Sequence, residues 1–280
     1  MPIHDQSYRR YRGGKSALGR AWVVIARAGL ANMLCKRMFL GLMLFAWFPV
    51  IVRGVQIYVS TTYPQASMFA ATSETFREFL QQQGFFVFVV TIYVGAGLIA
   101  NDRRANALQI YLSKPLLRSE YIAGKAAVLF VFLMLVTWVP AILLLIIQVL
   151  FAGNFEFMRK NLFLFPAITV GSLVQVLTAT FTMLALSSLS KSSRFVSILF
   201  AGVMLFTLAI FGVLTGITGG STSASWISPT ESIAQVVDVI FRLPPRYDTP
   251  WQVSLIVVIG LIAVSISILE RRVRGVEVVT

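Results

Sequence analysis

Apolar residues in this chain occur in six long, nearly continuous stretches, whereas a soluble domain would alternate them with polar residues. An α-helix rises about 1.5 Å per residue, so about 20 apolar residues cross a hydrocarbon layer about 30 Å thick. Each stretch is close to that length, and together they predict an all-α integral membrane protein with six transmembrane helices. The stretches are Phe39–Val59, Phe85–Ala100, Ala126–Phe151, Leu162–Leu186, Phe195–Ile217 and Trp251–Leu269.

The distribution of basic residues predicts the orientation of these helices. The chain is 57% hydrophobic and 12% charged, which excludes a soluble nucleic-acid-binding domain despite the net charge of +13. Eighteen of its 24 Lys and Arg residues lie on the side shared by both termini, five lie on the opposite side, and Arg53 lies inside the first stretch. Because basic residues accumulate in cytoplasmic segments, we expect both termini in the cytoplasm. The expected surroundings are membrane lipid, with no nucleic-acid partner.

The segments outside the spans predict a single membrane domain. Residues 1–15 form a basic cytoplasmic tail, and residues 16–280 form one six-span domain with no separate soluble domain. Residues 16–37 predict an interfacial helix, although a helical extension of the first span is the alternative. The start of the chain lacks the apolar core and cleavage site of a removable signal peptide. The interfacial face would carry Leu18, Trp22, Ile25, Gly29 and Met33.

Three external connections are expected, namely loops at residues 60–83 and 218–250 and a tight connection from Gly153 to Asn161. The first loop contains a polar stretch from Ser73 to Glu78 that could open a short helix. The second loop, which is the longest, contains an amphipathic run from Ile233 to Phe241. That run either lies on the outer leaflet or caps the helix bundle.

The sequence provides no machinery for catalysis. Gly13-Gly14-Lys15-Ser16 is similar to the end of a phosphate-binding loop, but Arg9 stands where that pattern requires glycine. The single histidine is His4 and the single cysteine is Cys35, so neither a metal site nor a disulfide is expected. We therefore expect no enzyme activity, no ATP site and no cofactor on this chain.

The loop between the second and third stretches, residues 101–125, is amphipathic. Ala107, Leu108, Tyr111 and Leu112 follow helical spacing, and Pro115 would end that helix. A short helix parallel to the membrane would be a suitable contact for a soluble partner. The alternative is a loop that only anchors to lipid headgroups through its basic residues.

The same loop resembles the signature of ABC-2 type transporter permeases. That signature has an acidic residue, a basic stretch, Gly-Thr-Leu, Leu-Ser-x-Pro, an arginine and Gly-Lys; Asn106-Ala107 departs from its Gly-Thr. The matching positions are Asp102 or Asn101 for the acidic residue, then Leu108, Leu112, Ser113, Pro115, Arg118, Gly124 and Lys125. Weaker similarities in the expected order are Ala26–Leu30, where Gly29 replaces the usual glutamate, then Leu184–Ser193, Ser228-Pro229 and Leu269–Val273.

This resemblance implies a permease subunit of an ATP-driven ABC-2 type transporter, and specifically an exporter, in a bacterial inner membrane. Two copies of a separate ABC ATP-binding subunit would hold ATP and Mg, and a second permease, identical or related, would pair with this one. The segment 102–117 would be the coupling helix. Its implied coupling residues are Asp102, Arg103, Arg104, Leu108, Tyr111, Leu112, Pro115 and Arg118.

Polar residues inside the spans suggest a translocation path, formed by Arg53, Gln56, Gln148 and Gln175. An arginine at mid-bilayer costs about 2.5–3.5 kcal/mol on insertion scales. The alternative for Arg53 is snorkelling to the outer surface. The alternative for the glutamines is hydrogen bonding between helices.

Two other function classes compete with transport by an ABC permease. A non-transporting membrane anchor or assembly subunit of a larger complex would need no polar path and no motor. An ion-coupled secondary transporter would need carboxylates inside the spans, and the stretches above contain none.

Overall fold

The structure is a computed structural model that describes residues 21–63, 72–107, 117–152 and 162–273. The expected basic tail, residues 1–15, the start of the expected interfacial helix and the expected tight connection from Gly153 to Asn161 lie outside these ranges. All regular structure in the described ranges is helical. The α-helices are α1 (Ala21–Leu34), α2 (Arg37–Ala46), α3 (Phe48–Thr62), α4 (Ser73–Val90), α5 (Ala96–Arg104), α6 (Arg118–Val136), α7 (Trp138–Ala152), α8 (Leu164–Leu189), α9 (Ser193–Ile217), α10 (Pro229–Ile240) and α11 (Trp251–Arg272).

Within the described residues, six helical segments are long and apolar enough to cross a membrane, which confirms the prediction of a six-span, all-α, multi-pass membrane protein. Span 1 combines α2 and α3, span 2 combines α4 and α5, and span 3 combines α6 and α7. Spans 4, 5 and 6 are α8, α9 and α11. The segments are Arg37–Thr62, Ser73–Arg104, Arg118–Phe151, Leu164–Leu189, Ser193–Ile217 and Trp251–Arg272.

The spans run alternately up and down and define two ends of the bundle. The Arg104 end is where α5 and α11 finish and where α6 and α9 begin. The Arg246 end is where α4, α8 and α11 begin and where α10 lies against the bundle. The share of residues in the apolar window that is buried is 61%, 44% and 50% for spans 2, 3 and 4. For spans 1, 5 and 6 this share is only 22%, 11% and 22%. Spans 2–4 therefore form the centre.

Three spans contain local departures from a straight α-helix. Span 1 is interrupted at Trp47 and span 3 at Thr137, two and three residues before Pro49 and Pro140. A proline removes one backbone donor and collides with the carbonyl four residues earlier, which explains both interruptions. Pro166 of span 4 lies in the first turn of α8, where a proline disturbs little. In span 2, a π-helical turn over Thr91–Gly95 joins α4 to α5.

Span 2 begins earlier than its apolar stretch. The external loop was expected to reach residue 83, but α4 already begins at Ser73. The reason is its amino-terminal cap, in which the backbone N–H of Thr72 donates to the hydroxyl of Thr75 at 3.2 Å. Several polar residues expected in a loop therefore lie on a helix that enters the bundle.

Helix α1 is distinct from span 1, since Cys35 and Lys36 separate it from α2 and Lys36 has an extended backbone. It packs against the start of span 3. A Cβ at Gly29 would lie 2.5 Å from Val128, and a Cβ at Gly124 would lie 2.8 Å from Ile25. The two glycines thus permit close helix contact. The location of α1 at a membrane interface stays a prediction.

Candidate functional site

Asp102, an implied coupling residue, ties span 2 to span 3 at the Arg104 end. Its Oδ2 accepts a hydrogen bond from the hydroxyl of Tyr121 at 2.7 Å and lies 2.7 Å from Nζ of Lys125. Tyr121 is fully buried, and Lys125 also lies over its ring, 5.6 Å from the centroid. Asp102 therefore faces the interior of this protein.

Arg103 and Ser187 tie span 2 to span 4 at the same end. A guanidinium nitrogen of Arg103 donates to the backbone carbonyl of Ser188, near the end of α8. The hydroxyl of Ser187 accepts from the N–H of Ala100 at 3.0 Å and donates to the carbonyl of Ala96 at 2.9 Å. The chain that leaves α5 is thus attached to both central neighbours of span 2.

The remaining implied coupling residues lie on or near the loop itself. Arg104 and Arg118 are exposed at its two described edges. Leu108, Tyr111, Leu112 and Pro115 lie outside the described residues. Asn106 has φ of 53°, in the left-handed region that glycine and asparagine tolerate best. The departure from the Gly-Thr of the signature is therefore compatible with the turn that follows α5.

The expected path residues do not form one group. Arg53 pairs with Glu78 of span 2, with Nη2 to Oε2 at 3.1 Å, and donates to Oε1 of Gln56 at 3.0 Å. The charge of Arg53 is therefore compensated by a carboxylate of the neighbouring helix, and its place on a translocation path stays a prediction. Gln148 is buried elsewhere in span 3, and its Oε1 has no partner among the described residues. Gln175 lines a cavity that the sequence did not predict.

This cavity lies at the Arg246 end between α4, α8, α9 and α10. Its volume is about 570 Å³, within the range of about 300–1,000 Å³ that is common for small-molecule sites. Most of its wall is apolar, and its charged side chains lie at the end near α10, whereas Gln175 and Thr178 line the cavity deeper along α8. The apolar wall includes Leu80, Val87, Phe88, Phe200, Leu205 and Leu208; the polar residues are Arg77, Gln81, Gln175, Thr178, Thr230, Glu231 and Arg246.

A buried carboxylate organises the polar end of the cavity. Asp238 is only 2% exposed and contacts two arginines. Arg246 donates from Nε to Oδ2 at 3.0 Å and from Nη2 to Oδ1 at 3.2 Å. Nε of Arg77 lies 3.1 Å from Oδ1, an ion pair whose N–H is not aligned as a hydrogen bond. Burial raises the pKa of Asp238, and the two guanidinium groups oppose that rise.

Further polar contacts hold the two arginines in place. Oε1 of Gln81 accepts from Nη1 of Arg77 at 3.0 Å and from Nη2 of Arg246 at 3.1 Å. The hydroxyl of Tyr247 donates to Glu231. Burial, and then the Glu231 carboxylate, raise the pKa of Tyr247, so its hydroxyl remains a neutral donor. The polar end is therefore a connected network of both charge signs.

Helix α10 closes this end of the bundle. Val236, Val237 and Phe241 are buried, and Ser254 of span 6 donates to Oε1 of Gln235 at 2.7 Å. Of the two alternatives for this amphipathic run, these contacts favour a cap on the bundle. No set of three or more His, Cys, Asp or Glu side chains within the described ranges is arranged to hold a metal ion.

No protein-family model matches the sequence, and no curated protein matches it. The similarity to ABC-2 permeases consequently depends on the loop and turn motifs of this chain alone.

Proposed function

We propose that this protein is a permease subunit of an ATP-driven ABC-2 type exporter. In this proposal the Arg104 end faces the cytoplasm, because most basic residues lie there. The segment 102–117 receives the motion of a separate ATP-binding subunit, of which two copies are present. ATP and Mg are held by that partner, and this chain contributes no cofactor site.

The observation that carries the proposal is the attachment of the loop to the centre of the bundle. Asp102 and Arg103 lie at the start of the 101–125 loop, and they contact spans 3 and 4. Lys125, at the end of the same loop, pairs with the same Asp102. A push on the loop would therefore tilt spans 2, 3 and 4 together rather than move one helix alone. A loop that only anchors to headgroups would not need this bracing.

The exposed spans support pairing with a second permease. Spans 1, 5 and 6 are the least buried, and their exposed side chains are largely apolar. In a membrane these faces contact lipid or another apolar helix surface. A pair of permeases would enclose a path between their exposed spans, with each coupling loop above one ATP-binding subunit.

Co-purification tests the proposal directly. We expect the native complex to contain a subunit with an ATP-binding motif, and the double variant Leu108→Asp/Leu112→Asp to lose most of it. Leu162→Asp provides a matched control, since Leu162 is exposed at the Arg246 end. Full retention of the ATPase by the double variant, or absence of any ATPase from the native complex, would contradict the proposal. The second result would favour a non-transporting anchor or assembly subunit.

A further inference from the structure

We propose that the cavity at the Arg246 end binds one zwitterionic phospholipid of the adjacent leaflet, with an acyl chain between spans 2, 4 and 5 and the headgroup between Arg246 and Glu231. This inference deepens the proposed function by naming a substrate class. It rests on the proposed function for the step from binding to export, whereas binding itself requires no motor.

The length of the cavity matches one leaflet. On α4 its wall extends from Arg77 to Phe88, a rise of about 16 Å along the helix axis. The hydrocarbon layer is about 30 Å thick, so the length of the cavity is about half of that thickness. A ligand that fills the cavity therefore needs an apolar part about as long as one leaflet.

The position of the polar groups requires the ligand to be amphiphilic. Charged residues line only the end near α10, and the deeper wall is built from side chains such as Phe88, Phe200 and Leu208. A charged or sugar-like ligand would lose its hydration along that deeper wall, where Gln175 and Thr178 alone among the described lining residues carry polar side chains. A purely apolar ligand would leave the guanidinium groups at the polar end covered and without water.

Access from the membrane is provided by span 5. Leu205 lines the cavity and is nevertheless 57% exposed on the surface of the bundle. Span 5 is also the least buried of the six spans. Exposed side chains therefore border the cavity on this side, and a lipid can enter sideways without crossing the bundle.

The charges at the polar end select a headgroup that has both signs. Arg77 and Arg246 contribute two positive charges to the lining, and Glu231 contributes one negative charge. Asp238 lies directly behind the arginines and contributes a second negative charge. Because these four charges cancel, a phosphate beside Arg246 and an ammonium group beside Glu231 complement the site better than a headgroup with net negative charge.

Gly84 and Gln175 provide a way to fill the cavity by mutation. Both residues line it, and a Cβ at Gly84 would lie 3.1 Å from the amide nitrogen of Gln175. Gln175 is half-buried and can move, so a larger side chain at position 84 would occupy ligand space. Leu205→Trp provides a second blocking variant at an exposed position.

Photo-crosslinking in nanodiscs tests the inference on the purified full-length protein. The probe is a phosphatidylethanolamine that carries a photoreactive group in its acyl chain, and labelled peptides are identified by mass spectrometry. We expect labelling concentrated at residues 84–88 and 200–208. Labelling there should fall roughly tenfold in Gly84→Leu and Leu205→Trp, as for the loss of a specific site, and stay unchanged in the adjacent control Phe206→Trp.

Headgroup selection is tested by competition with unlabelled lipids. We expect phosphatidylethanolamine or phosphatidylcholine to compete better than phosphatidylglycerol. Glu231→Gln, which removes one negative charge but keeps an acceptor for Tyr247, should shift the preference toward phosphatidylglycerol by several-fold. Even labelling of all exposed spans, no effect of both blocking variants, or stronger competition by the anionic lipid in the unmodified protein would overturn the inference. None of these results depends on whether an ATPase co-purifies, so the two proposals fail separately.

Discussion

Tyr121 donates its hydroxyl to Asp102 across 2.7 Å, and this bond joins the start of span 3 to the end of span 2. Asp102 also pairs with Lys125, one helical turn after Tyr121. The two ends of the 101–125 loop are therefore tied to each other through a single carboxylate. This arrangement makes the loop a braced unit and suggests variants that loosen it without touching its surface.

Tyr121→Phe removes the hydroxyl and keeps the ring. We expect the free energy of unfolding to fall by about 1–2 kcal/mol, because a buried hydrogen bond to a charged acceptor is lost. Thermal unfolding in detergent measures the change. Tyr93→Phe is the control, since Tyr93 is partly exposed and keeps its ring contact with Phe39 as phenylalanine. Equal midpoints for the two variants would contradict this account of Tyr121.

Gly124→Val should detach α1 from span 3. A Cβ at Gly124 would lie 2.9 Å from the backbone carbonyl of Trp22 as well as 2.8 Å from Ile25, so the helices must separate. Overpacking of this kind costs about 1–3 kcal/mol. Limited proteolysis should then cleave near α1 sooner. Gly202→Val is the matched control, because a Cβ there has no neighbour within 4 Å.

Asp238→Asn should be among the most destabilising single changes at the Arg246 end. It leaves two guanidinium groups without their buried carboxylate, and breaking one side of a buried ion pair costs about 3–5 kcal/mol. Asp248→Asn is the control, because Asp248 is exposed and asparagine can still accept from Thr222. The measurement is the unfolding midpoint. Recovery of stability in Asp238→Asn/Arg77→Gln would support the charge argument, and further loss would oppose it.

Variants of the Arg53–Glu78 pair distinguish a structural role of Arg53 from a role in transport. Glu78→Met leaves Arg53 within span 1 without a carboxylate, whereas Arg53→Met removes the costly charge. We expect Glu78→Met to lower the free energy of unfolding more than Arg53→Met does. The double variant should lose about 0.2–1 kcal/mol less than the sum of the two single losses, which is the coupling energy of the pair. The free energies of unfolding of the unmodified protein and of these three variants form a double-mutant cycle. If Arg53→Met abolished transport while retaining stability, a path role would replace the structural one.

The number and type of the elements could be predicted because each apolar stretch carries its own signal. The start of span 2 was predicted only as a short helix from Ser73 within the external loop, since Glu74, Arg77 and Glu78 resemble a solvent-exposed segment until their partners are known. The signal was present in the spacing, because Arg77, Gln81, Gly84 and Phe88 recur every three to four residues on one helix face. Their partners, Asp238 and Arg246, are more than 150 residues away along the chain. No local pattern reveals such a contact.

The partners of the implied coupling residues could not be predicted from the sequence either. Asp102 and Lys125 match a motif, and the motif alone does not reveal that they bind each other. A charged residue near the surface is as suitable for a partner protein as for a neighbouring helix. Only the folded structure, which brings the Tyr121 hydroxyl and the Lys125 ammonium to Asp102, shows the contact with the neighbouring helix.

The single cysteine offers a test of orientation without added label sites. Cys35 is exposed at the Arg104 end, which we expect to face the cytoplasm. A membrane-impermeant maleimide should therefore leave Cys35 unlabelled in intact spheroplasts and label it after permeabilisation. Ser221→Cys in a Cys35→Ser background should show the reverse, because Ser221 lies in the loop at the Arg246 end. Labelling of Cys35 before permeabilisation would place the 101–125 loop on the wrong side for a cytoplasmic ATPase, and the proposed coupling would have no physical basis.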